Sequence, residues 1–165
     1  MLTRRHVRIK VIQSLYSFFT SKNNDLKKEI HFFNESISNI FELYYFLISL
    51  LISFYKYSNN QIKHLKKAKL DVIEKINNHQ KIRDNIILFL INKRCKSNKK
   101  KFKENDEQWE LENKYVKILL DELFKSNFFK KYFLIKNPSF KQQKQIILDF
   151  FIEIIAPSNY IFEFI

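Results

Sequence analysis

The sequence predicts an all-α protein, a helical bundle of about six or seven helices arranged in two subdomains. Apolar residues recur three and four positions apart through most of the 165 residues. No stretch shows the strict alternation of a half-buried strand. The chain has no Gly and two Pro, so helix interiors lack their two strongest interruptions.

The first helix opens at Thr3, whose hydroxyl can cap an unpaired amide of the first turn. Val7, Val11, Leu15 and Phe18 then make one apolar stripe. The charges on this helix are placed unusually. Only 5 of the 30 basic residues are Arg, and Arg4, Arg5 and Arg8 are three of them. At about 100° per residue, Arg4 and Arg8 fall near the Val7/Val11 azimuth rather than opposite it. This turn is expected to overhang the core and offer guanidinium groups to a partner, because Arg forks onto phosphate and stacks on bases. A frayed basic terminus is the plain alternative.

Arg4-Arg5-x-x-Arg8 followed by Val11, Gln13, Leu15 and Tyr16 resembles the opening motif of the transcription antitermination factor NusB, which reads roughly R-R-x-A-R-x-x-A-x-Q-x-L-Y. The likeness extends less specifically to the long aromatic-aliphatic helix that follows, and fits best the long variant with a central insertion. Ile9 stands where the family usually has Glu, and Val7 and Val11 replace Ala. The family's C-terminal Val/Ile-Asn-Gly segment has no counterpart in a chain without Gly. The resemblance implies binding of a single-stranded leader RNA through Arg4, Arg5 and Arg8, supported by His6 and Lys10. It also implies pairing with the small-subunit ribosomal protein in the NusE role and with the transcription elongation complex.

With Gly absent, Asn is the residue expected to stop helices in the left-handed conformation. The pairs Asn23-Asn24, Asn59-Asn60 and Asn77-Asn78 fit that use. Asp25 can cap the next helix, which carries Phe32, Phe33, Ile37, Ile40 and Phe41. Leu43 to Tyr55 is a 13-residue run without charge, short of the roughly 20 residues a membrane span needs. It reads as a helix buried on most sides, its Tyr44, Tyr45, Phe46, Phe54 and Tyr55 serving as core rather than as a base-stacking platform. Lys93 to Lys103 holds seven basic residues and no acid, the pattern of a solvated linker.

Charge reverses at Glu104. Asn105 or Asp106 can cap a helix striped by Trp109, Val116, Leu119, Leu120, Leu123 and Phe124. Phe128 to Ile135 is a short aromatic stretch. Asn137-Pro138 reads as N-cap and first-turn proline of a helix bearing Ile146, Ile147, Phe150, Phe151, Ile154 and Ile155, which Pro157 ends. That band is wider than one neighbouring helix covers, so an apolar patch near Phe151 and Phe164, and self-association, are expected.

The resulting division is a NusB-like N-terminal bundle over 1–92, a basic linker over 93–104, and a helical segment over 105–165, expected to be an incomplete C-terminal part. A formal charge of +13 favours a polyanionic partner, RNA or an anionic membrane surface, with the membrane the lesser expectation. One cysteine, Cys95, excludes an internal disulfide and fits a cytoplasmic protein. No apolar segment follows the basic N-terminus as a signal peptide requires. Without Gly, phosphate loops, dinucleotide fingerprints and nucleophile elbows are excluded. His6, His31, His64 and His79 show no metal-binding spacing. No catalytic residue, metal or cofactor is expected, and the reading is a binding protein rather than an enzyme. The alternatives are a truncated or decayed helical interaction protein that has lost RNA binding, and a basic amphipathic protein on an anionic membrane.

Overall fold

The structure, a computed structural model, describes residues 3–21, 25–67, 73–96 and 99–162. All regular elements among them are helical: α1 (Arg4–Thr20), α2 (Leu26–Lys67), α3 (Ile73–Arg83), α4 (Ile86–Lys96), α5 (Lys99–Leu111), α6 (Asn113–Lys125), α7 (Asn127–Phe133), α8 (Phe140–Phe150) and α9 (Asn159–Phe162). The all-α expectation holds, with more helices among the described residues than the six or seven expected. The chain falls into two compact units, Met1–Tyr44 and Tyr45–Ile165.

The first unit contains α1 and the opening of α2. Asp25 caps α2 as its position suggests, its Oδ1 accepting from the amides of Lys27 and Lys28 at 3.1 and 3.2 Å. The stripe of α1 is not a core, however, because no residue of α1 is buried. Val11, Leu15 and Phe18 instead line a shallow apolar groove with Leu26, Ile30 and Phe33 of α2, about 190 Å³ in volume. The Oε1 atom of Glu29, in the wall of that groove, is buried without a hydrogen-bond partner among the described residues.

The core lies in the second unit. Phe46 and every residue from Ser49 to Phe54 are buried, which bears out the central run as core. Tyr44 is exposed, whereas the ring of Tyr45 meets Phe102 edge-on at 5.2 Å. Phe54 packs on Phe150 with ring centroids 4.8 Å apart. Phe46 packs on Trp109 at 4.6 Å, and the Trp109 indole donates to the Phe46 carbonyl at 3.3 Å. The α6 stripe inserts as expected: Val116, Leu119, Leu120 and Leu123 are fully buried. Each such side chain contributes roughly 1.5–3 kcal/mol of burial, an upper bound given a compact unfolded chain. By length and composition, α2 is able to cross a membrane, and 39% of its most apolar window is buried inside the protein.

Several boundaries differ from the sequence reading. Asn59 and Asn60 lie inside α2, and Asn77 and Asn78 inside α3. An interior Asn costs a helix less than about 1 kcal/mol relative to Ala, and burial of Ser58, Ile62, His79 and Ile82 nearby overrides that. Asn23 and Asn24 lie outside the described residues. The break expected near Asn77 comes at Asp84-Asn85, where Asn85 caps α4 by accepting from the Ile87 and Leu88 amides. Lys93 to Lys96 complete α4 and α5 begins at Lys99, so the basic stretch is helical on both sides of residues 97 and 98, which lie outside the description. Asn105 and Asp106 sit within α5, and the chain breaks at Glu112 instead.

At α8 the cap is Ser139, two residues beyond Asn137. Its hydroxyl accepts from the Gln142 amide while Gln142 Oε1 accepts from the Ser139 amide at 2.8 Å, a reciprocal capping box. The helix then widens into a π turn over Phe151–Ile155. Phe150 and Ile155, five apart, are thereby both buried, while Phe151 and Ile154 pack half-buried against the core. This extra residue per turn narrows the wide band expected of the helix. Exposed apolar side chains remain at Ile152 and Phe162; Phe164 lies outside the described residues.

Candidate nucleic-acid interface

The five residues singled out by sequence, Arg4, Arg5, His6, Arg8 and Lys10, share the first half of α1. The helix is regular from Arg4 because Thr3 holds its first turn. Thr3 Oγ1 accepts from the His6 amide at 3.4 Å, and His6 Nδ1 in turn lies 3.4 Å from the Thr3 amide and 3.0 Å from its hydroxyl. His6 thus occupies the place a Glu or Gln usually takes in a capping box. Its ring orders the turn that carries the arginines.

Arg4, Arg5 and Arg8 are exposed and Lys10 is half-buried. Among the described residues, none of the three guanidinium groups has an ion-pair or hydrogen-bond partner. The first turn also contains no acidic side chain. Cations at the positive end of a helix dipole are unfavourable by roughly 0.3–1 kcal/mol each, and nothing within the described turn offsets this. An anion approaching here meets both the guanidinium groups and the helix end.

Sequence reasoning missed the continuation of this surface. Arg5, Arg8, Ile12, Tyr16 and Phe19 are spaced three or four apart and form one ridge along the helix. All are exposed, with Ile12 65%, Tyr16 71% and Phe19 76% accessible. The Phe19 ring is propped edge-on against Phe18 at 5.7 Å. The signal is present in the sequence, as apolar residues in register with the arginines, but the Val7–Phe18 stripe is the stronger apolar pattern on the same helix. A row of two guanidinium groups followed by two open aromatic faces combines the two elements of single-strand recognition, phosphate pairing and base stacking.

Among the described residues, no cluster of His, Cys, Asp or Glu is suited to hold a metal ion. No protein-family model, curated protein or solved structure matches this chain.

Proposed function

We propose that this chain is a cytoplasmic, NusB-like RNA-binding antitermination factor that takes up a single-stranded leader RNA along α1. The observation that carries the reading is the exposed ridge Arg5, Arg8, Ile12, Tyr16, Phe19. In this mechanism Arg4, Arg5 and Arg8 contact phosphates and base edges, and Tyr16 and Phe19 stack on unpaired bases. His6 holds the turn, and Lys10 adds charge from the neighbouring face. The partners are RNA, the ribosomal protein in the NusE role and the elongation complex. No catalytic step is assigned.

The test is direct RNA binding. Replacing Arg5 and Arg8 together by Ala is expected to weaken a single-stranded leader RNA far more than replacing two lysines of Lys99 to Lys101. The arginine contacts combine phosphate and base recognition, whereas the lysine run supplies a salt-dependent, sequence-tolerant term. Equal losses with equal salt dependence would sink the arginine helix as a specific site.

The same ridge favours one other reading. Ile12 and Phe19 beside arginines are also what an anionic lipid surface binds. Flotation with anionic vesicles, abolished by Phe19→Ala, together with no RNA selectivity, would transfer the assignment to the membrane.

A further inference from the structure

The second unit contains a cleft of about 840 Å³ that no part of the RNA-helix reading uses. It runs along α2, where Ser53, Lys56, Asn60 and Lys63 repeat at helical spacing, and is bounded by Asn92 of α4, by Trp109 and Glu110 of α5, and by Asn113 of α6. Its volume lies in the range of sites that enclose small organic ligands.

The lining is unusual for a surface between helices. Carboxamides from three elements line it, among them Asn60 on α2, Asn92 on α4 and Asn113 on α6. Asn92 is the decisive one. It occupies the inward register of α4, four residues after buried Leu88, and is itself only 8% exposed. Among the described residues, no hydrogen bond reaches its side-chain amide. Its amide atoms are nevertheless not among the fully buried ones that lack a partner, so the small accessibility of Asn92 keeps its amide open to the cleft it lines. The other buried Asn of the unit behaves oppositely: the Asn85 amide donates to the Gln143 carbonyl at 3.0 Å and accepts from the start of α4. Two cations complete the cleft. Lys56 is held by Glu110 at 3.3 Å and Lys63 is exposed at its edge.

The geometry points to a nucleotide as the ligand of this cleft, with a base edge read by Asn92, Asn60 and Asn113 and a phosphate met by Lys63 and Lys56. An Asn side chain offers a donor and an acceptor side by side, which is the pattern of a base edge. The lysines account for the anionic half of the same ligand. A free mononucleotide and one residue of an RNA strand present this chemistry alike. The inference does not depend on α1.

Trp109 is the chain's one tryptophan and lines the cleft, so its fluorescence in the full chain reports occupancy. The titrants are the four ribonucleoside monophosphates, with ribose 5-phosphate and inorganic phosphate as controls, excited beyond the nucleotide absorption band. A saturable change is expected with at least one nucleotide and with neither control. Asn92→Ala is expected to weaken it about tenfold or more, the lower end of what one bidentate base contact is worth. Asn60→Ala and Asn113→Ala, at more accessible positions, carry the same test if Asn92→Ala fails to fold. No response to any nucleotide, an equal response to inorganic phosphate, or unchanged affinity in every folded Asn variant overturns the proposal. A short single-stranded oligonucleotide producing the same change assigns the ligand to a strand, and silence with it assigns a free nucleotide. The Arg5/Arg8→Ala variant is expected to keep the mononucleotide response; loss of its leader-RNA binding alone tests the α1 reading and leaves the cleft standing.

Discussion

Arg5, in the first turn of α1, stands where helix electrostatics disfavours it, while Tyr16 and Phe19 stand where the hydrophobic effect does. Two local costs on one ridge are what a binding surface looks like before its partner arrives. Because these side chains are exposed, their removal should separate binding from folding. Tyr16→Ala and Phe19→Ala are each expected to weaken a single-stranded leader RNA by roughly 1–3 kcal/mol, the usual worth of one base–aromatic stack. Melting temperatures should stay within a degree or two of the parent, since exposed positions contribute little to stability. Anisotropy titrations beside thermal melts check both halves. Unchanged RNA affinity in both variants would remove the aromatic half of the ridge.

At the scale of elements, α2 and α3 share a buried polar contact with a pH signature. His79 lies beneath the surface, its Nδ1 3.2 Å from the Ser58 hydroxyl and its ring edge-on to Phe124 at 5.0 Å. Burial lowers its pKa to about 4, against the opposing pull of Asp121, with Lys75 adding to the depression. The unfolded chain therefore binds a proton between pH 6.5 and 4 that the folded chain refuses, so this contribution is intact above about pH 6.5 and lost as pH falls. From about pH 7.5 to pH 5 the loss should reach roughly 2 kcal/mol. Urea melts of the parent and of His79→Gln check this, since the variant should lack that part of the acid slope. An unaltered slope would show that His79 binds its proton equally well in the folded and unfolded chains. The aromatic centre of α2 gives a second prediction. Phe54→Ala, at the contact with Phe150, is expected to cost roughly 3–5 kcal/mol. Leu47→Ala should cost less, because Leu47 is only partly buried. Denaturant melts of the two variants rank them.

The whole molecule divides its apolar surface unevenly. The second unit hides Phe54, Trp109, Leu119, Leu120 and Phe150 almost completely. The first leaves Ile12, Tyr16, Phe19, Ile30 and Phe32 open, although it is much the smaller of the two. The isolated protein is expected to bind an apolar dye and to self-associate with rising concentration. Ile12→Gln with Phe19→Gln should reduce both while leaving the main unfolding transition unchanged, because neither residue belongs to the core. Sedimentation at several concentrations is the measurement, and a monodisperse parent with no dye response would contradict the expectation.

The sequence by itself determined the helical class, the capping of α1 by Thr3 and of α2 by Asp25, the Val116–Leu123 stripe of α6 and the core role of Phe46 and Phe54 within the Leu43–Tyr55 run. Each rests on spacing or side-chain chemistry within a few residues, and no later contact reverses it. Tertiary structure decided where helices stop. Asn59-Asn60 and Asn77-Asn78 are weak local preferences that packing outweighs; the Ser139 box, by contrast, is a local Ser-x-x-Gln signal that outcompetes Asn137-Pro138 because it satisfies two amides reciprocally. Tertiary structure decided that Val11, Leu15 and Phe18 of the α1 stripe line a groove rather than a core, since burial depends on what opposes a face and not on the face alone. It also singled out Asn92. In the sequence this is one polar residue beside a basic run; only the closing of α2, α4, α5 and α6 around it makes an unpaired amide at the wall of a cleft.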